Sequence, residues 1–125
     1  MYSGSCHCGR VAFLVDLTID HARQCDCTIC SKRGLLTFRV SNDALQLKCD
    51  LADLFQYRWG TRTAVDYFCP ICGVLPFRRP SQLTLEERAA GLDPFDGWSI
   101  NIRCIDEIDL DALPKHRIFG SRLQI

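Results

Sequence analysis

Nine cysteines in 125 residues, seven of them in three tight groups, constrain this chain more than any other feature of its sequence. The groups are Cys6/Cys8, Cys25/Cys27/Cys30 and Cys69/Cys72, while Cys49 and Cys104 stand apart. Thiols one or two residues apart can converge on one ion from a single turn, but they are poorly placed to bridge one another. A chain of this size with 47% hydrophobic residues can bury a real core and does not need disulfides to hold it. The clustered thiols therefore read as metal ligands, and a redox or disulfide role is the competing reading.

The rest of the composition narrows the function classes. The length suits one domain spanning residues 1–125. Fifteen basic and fifteen acidic residues cancel, with no basic face or acidic tail, so nucleic acid is an unlikely partner. The polar, cysteine-bearing first ten residues do not have the form of a signal peptide, and nothing approaches the roughly 20 apolar residues of a membrane helix. A soluble, cytoplasmic protein with no membrane partner is expected. Self-association is left open.

Short β-branched and apolar runs bounded by Gly, Pro and polar residues predict strands over residues 11–17, 35–40, 45–48, 54–59, 64–68, 75–79 and 98–103. Ser41-Asn42-Asp43 and Gly60-Thr61 read as turns between them. One helix is expected, at residues 85–90, entered at Thr84 with Glu86 and Glu87 in its first turn and closed by Gly91. The pattern is mainly β.

Two of the cysteine groups have the form of zinc knuckles. Cys69-Pro70-Ile71-Cys72-Gly73 places two thiols two residues apart and closes on a glycine suited to positive φ, and Cys6-His7-Cys8-Gly9 is a tighter version. Together they supply four thiolates from distant parts of the chain, a structural site. The triplet Cys25-Asp26-Cys27-Thr28-Ile29-Cys30 offers three ligands on one loop, which leaves a position open to water or a thiol. The competing reading closes this second site with Cys49, Cys104 or His21. His7 reads as pointing away from the metal, His116 and the pair Arg78-Arg79 as surface residues, and Tyr57, Trp59, Tyr67, Phe68 and Phe77 as core.

The segments Gly4-Ser5-Cys6-His7-Cys8-Gly9 with Val11, Cys25-x-Cys27-x-x-Cys30, Tyr57, Phe68-Cys69-Pro70-Ile71-Cys72-Gly73 and Ile100-Asn101-Ile102-Arg103-Cys104 occur in that order along nearly the whole chain. They resemble the glutathione-dependent formaldehyde-activating family, also called the centromere protein V family. The resemblance implies a single-domain zinc-binding β-tent of stacked antiparallel sheets. It also implies a structural zinc on Cys6, Cys8, Cys69 and Cys72 and a catalytic zinc on Cys25, Cys27 and Cys30. The implied activity is that of a zinc-dependent carbon–sulfur lyase, an S-hydroxymethylglutathione synthase, with two Zn²⁺ per chain and glutathione as co-substrate.

Three functions remain in competition at this stage. The first is that lyase, acting on a small thiol or aldehyde adduct at the triplet. The second is a zinc-stabilised β binding module without catalysis. The third is a thiol-based redox or metal-handling protein whose triplet loses zinc and oxidises.

Overall fold

The computed structural model describes residues 1–59 and 62–119, so the turn expected at Gly60-Thr61 lies outside the described residues. The fold is mainly β, in two sheets. A three-stranded antiparallel sheet orders β1 (Tyr2–Ser5), β2 (Ala12–Val15) and β5 (Leu45–Leu47) as β1-β2-β5. The larger sheet has seven strands in the order β10-β3-β4-β9-β8-β7-β6. These are β3 (Ala22–Cys25), β4 (Thr37–Ser41), β6 (Phe55–Tyr57), β7 (Val65–Phe68), β8 (Phe77–Arg79), β9 (Gly97–Asn101) and β10 (Lys115–Ile118). Two short helices, α1 (Thr28–Arg33) and α2 (Leu85–Ala89), lie in connections.

The expectation of purely antiparallel sheets is corrected at one edge, where β10 runs parallel to β3. A parallel neighbour needs a long crossover rather than a hairpin, and here residues 26–114 intervene between the two strands. The expectation of a single helix is also corrected. Helix α1 has no buried residue, so it carries no apolar stripe for a sequence reading to detect. Its end is nevertheless well made, with Lys32 and Arg33 in the last turn and Gly34 at φ 64°. The expected helix α2 forms with Thr84 and Glu87 in a reciprocal capping box.

Alternation along the strands decides which face is core. In β4, Phe38 and Val40 point inward and Arg39 and Ser41 outward; in β2, Phe13 and Val15 are buried. The inward residues of both sheets meet around Phe77, whose ring is 6.0 Å from Phe13 and 5.2 Å from Trp98, both edge to face. Gly4, paired with Phe13 across β1 and β2, has no room for a side chain, because a Cβ there would lie 2.4 Å from the Phe13 ring. The central strand β9 is buried over Gly97, Trp98, Ser99 and Ile100. Its Trp98 and Ile100 enter the core, while Ser99 lies on the opposite face between Arg39 and Arg78. That second face of the large sheet carries the candidate site.

Candidate functional site

Each knuckle caps a hairpin, and the two hairpins belong to different sheets. Residues 6–10 join β1 to β2, with the Cys6 amide donating to Val11 O at 2.9 Å and Gly9 turning at φ 82°. Residues 69–74 join β7 to β8 in the same way, with the Cys69 amide donating to Val74 O at 3.0 Å and Gly73 at φ 78°. The four sulfurs of Cys6, Cys8, Cys69 and Cys72 lie within 4.8 Å of one another, with Cys8 to Cys69 at 3.5 Å and Cys6 to Cys8 at 3.7 Å. Sulfurs about 2.3 Å from a shared tetrahedral ion stand roughly 3.8 Å apart, so the donor set fits zinc. Backbone amides face the sulfurs too: Val11 N–H donates to Cys6 Sγ at 3.3 Å and Cys72 N–H to Cys69 Sγ at 3.5 Å. The amides of Val74 and Cys8 hold the Cys72 thiol down at about 6. The Arg10 amide pulls Cys8 the same way, but Cys69, burial, Cys6 and Cys72 together push it up to about 11.

The second cluster is local. Cys25 ends β3, Cys27 caps α1 and Cys30 sits in its first turn, and their sulfurs also lie within 4.8 Å of one another. Burial raises Cys27, but the amides of Cys30 and Ile29 and the thiols of Cys30 and Cys25 outweigh it and hold Cys27 below the ordinary thiol value. Burial, then Cys27 and the charge of Cys25, drive Cys30 well up. Among the described residues the group of ligand atoms closes at three. The alternative fourth ligands are engaged elsewhere. Cys104 is buried in the core, on the side of Cys6 and Cys72, and Cys49 lies near Cys6. His21 is bonded through Nδ1 to Asp20 at 2.6 Å and stacks on His116 at 4.1 Å.

The triplet lines a cavity of about 140 Å³ against the second face of the large sheet. Arg23, Arg39, Arg78, Ser99 and Trp59 share its wall. Register explains the row: Asp66 on β7 faces Arg78 on β8, which faces Ser99 on β9, which faces Arg39 on β4. Asp66 is fully buried and accepts from Arg78 Nε at 2.6 Å, Arg33 Nη1 at 2.7 Å and Trp59 Nε1 at 3.3 Å. Burial alone would raise its carboxyl, yet the two guanidiniums hold it below the usual carboxylate range.

Several sequence expectations change here. Arg78 is no surface residue but a half-buried part of the cavity wall, and Arg79 stacks over Trp98 at 3.9 Å while donating to Asn42 and to Gly97 O. Of the aromatic set, Tyr67 and Phe77 are core, Phe68 and Trp59 are half-buried, and Tyr57 is exposed on the edge strand β6. His7 is exposed and outside the four-cysteine group, and His116 is exposed as expected. Asp66, Arg23 and Arg39 were not singled out by the sequence. The one signal available was the charged residue in the centre of the Ala64–Phe68 run, where a buried strand tolerates a charge only if it is paired.

No helix among the described residues is long and apolar enough to cross a membrane. A crystal structure of a Rhodobacter sphaeroides protein superposes with a TM-score of 0.70 at 28% identity, covering 91% of this chain and 99% of that one. The family model described as glutathione-dependent formaldehyde-activating enzyme matches residues 1–91, which hold both knuckles and the triplet. By that match the chain belongs to the glutathione-dependent formaldehyde-activating family.

Proposed function

We propose that both clusters hold zinc and that the chain is a zinc-stabilised β module whose triplet takes a small thiol as ligand. Cys6, Cys8, Cys69 and Cys72 are the structural ligands in this reading, and Cys25, Cys27 and Cys30 hold the open centre. The observation that carries it is the triplet's position: three thiols on a cavity wall, with no fourth His, Cys, Asp or Glu joining them among the described residues. The same reading takes the two sheets as the sides of a β-tent, clasped where the knuckles meet.

The finer proposal is that this module is a carbon–sulfur lyase acting on a glutathione-type adduct. Zinc at the triplet would favour the thiolate of an incoming thiol at neutral pH. In the addition, the thiol sulfur bonds to the aldehyde carbon and the carbonyl oxygen ends with the proton the thiol gives up; reversal breaks the same C–S bond. The chain's part is positioning, since among the described residues the cavity wall carries guanidiniums, hydroxyls and an indole and no carboxylate or imidazole. That lining also favours the first, non-catalytic reading, because no side chain there is an evident proton carrier near pH 7.

Two measurements separate the readings. Elemental analysis of reduced protein should give about two zinc per chain, one per cluster. The rate of S-hydroxymethylglutathione equilibration with and without protein should then rise for a lyase, and stay at the spontaneous rate for a binding module. One zinc per chain, unchanged by added metal, would remove the open centre from both.

A further inference from the structure

Arg23 on β3 and Arg39 on β4 differ from the guanidiniums around them. Arg33 and Arg78 are both bound to the buried Asp66, Arg79 pairs with Asp96 and donates to Asn42, and Arg103 donates to Gly34 O. Arg23 and Arg39 make no ion pair among the described residues, although both line the cavity that holds the triplet. Arg39 lies over the Phe95 ring, 4.9 Å away. Arg23 is half-buried and Arg39 solvent-exposed on the same concave wall; two like charges set there without partners repel, and an anion entering the cavity would relieve that repulsion.

The charge balance points the same way. Asp66 is shared by two arginines and is saturated by them and Trp59. A Zn²⁺ held by three thiolates would carry a net charge of about −1; with Asp66 it sets two negative charges against the four guanidiniums of Arg23, Arg33, Arg39 and Arg78, and an incoming thiolate adds only one more. The cavity, at about 140 Å³, adjoins a second of about 210 Å³ that shares Cys25, Cys30 and Leu35 with it.

We propose that Arg23 and Arg39 are the specificity-determining residues of this site: they hold a carboxylate of the thiol whose sulfur reaches Cys25, Cys27 and Cys30. The proposal rests on the thiol-binding reading above. It makes the cavity selective for acidic thiols over neutral ones of the same size, through charge-assisted and bidentate contacts that a neutral thiol cannot make.

The test is calorimetric titration of the zinc-loaded protein with 3-mercaptopropionate, 2-mercaptoethanol and propionate, repeated on Arg23→Gln and Arg39→Gln after their melting temperature and zinc content are matched to the parent. The parent should bind 3-mercaptopropionate about tenfold or more tightly than 2-mercaptoethanol, and each variant should lose most of that preference without losing 2-mercaptoethanol. Equal binding of the two thiols by the parent, or a preference that survives both substitutions, overturns the assignment. Loss of both thiols in the variants also overturns it, since the arginines would then act on the thiol centre itself. If no thiol binds while propionate does, and the variants lose propionate, the arginines stand as an acid site and the thiol reading falls. If nothing binds, both fall.

Discussion

The two cysteine clusters share one ligand chemistry and differ in how much of the chain they tie together. The four-cysteine cluster joins residues 61 apart in sequence, Cys8 and Cys69, and clasps a hairpin of one sheet to a hairpin of the other. The three-cysteine cluster spans a single turn from the end of β3 into α1 and connects nothing that the backbone does not already connect. Closing a loop costs more entropy the longer it is, so a metal in the first cluster contributes far more to folding than one in the second. The shorter cluster is correspondingly free to face a cavity rather than the core. In the proposed reading, identical ligands serve stability at one place and ligand binding at another, and chain span tells the two apart.

That contrast breaks first at Cys69 or Cys6. Replacing either with Ser should cost most of the stability, because metal binding in small zinc modules is folding free energy on the order of 10 kcal/mol. Soluble yield and thermal melting would show a collapse, and unchanged melting in either variant would mean the two knuckles share no metal. Asp66→Ala comes next, at about 3–5 kcal/mol, since it strands the half-buried Arg33 and Arg78 without their common partner. It should also loosen the cavity wall, read as weakened thiol binding in the fraction that stays folded. Smallest is Cys27→Ser, expected to shift stability by no more than about 1 kcal/mol while removing the second zinc. Cys27 is the N-cap of α1, a position where Ser is among the preferred residues, so the helix loses no cap. A melting loss as deep as that of Cys69→Ser would make the triplet structural after all.

Much of this was legible in the sequence where one residue type carries one constraint. The knuckles could be read from Cys-x-Cys-Gly and Cys-x-x-Cys-Gly because spacing and a positive-φ glycine are local requirements, and the structure brings their four sulfurs within 4.8 Å of one another. Strands with an alternating or continuous apolar pattern, such as β2, β4 and β9, were found within a few residues. Strands β1, β3 and β10 were not, since Tyr-Ser-Gly-Ser, Ala-Arg-Gln-Cys and Lys-His-Arg-Ile bury little and owe their conformation to their neighbours. The arginine row was invisible for a related reason. Arg23, Arg39 and Arg78 lie on three different strands, and only the register of the folded sheet brings them to one cavity with the triplet.

The most direct test of a closed cluster beside an open one is zinc-edge X-ray absorption on the two-zinc protein, before and after addition of 3-mercaptopropionate. One shell of four sulfurs and one of three should average to about 3.5 sulfurs per zinc with a light-atom remainder, rising toward four when the thiol is added. Four sulfurs per zinc at the outset, or an average that the thiol leaves unchanged, would contradict the open centre.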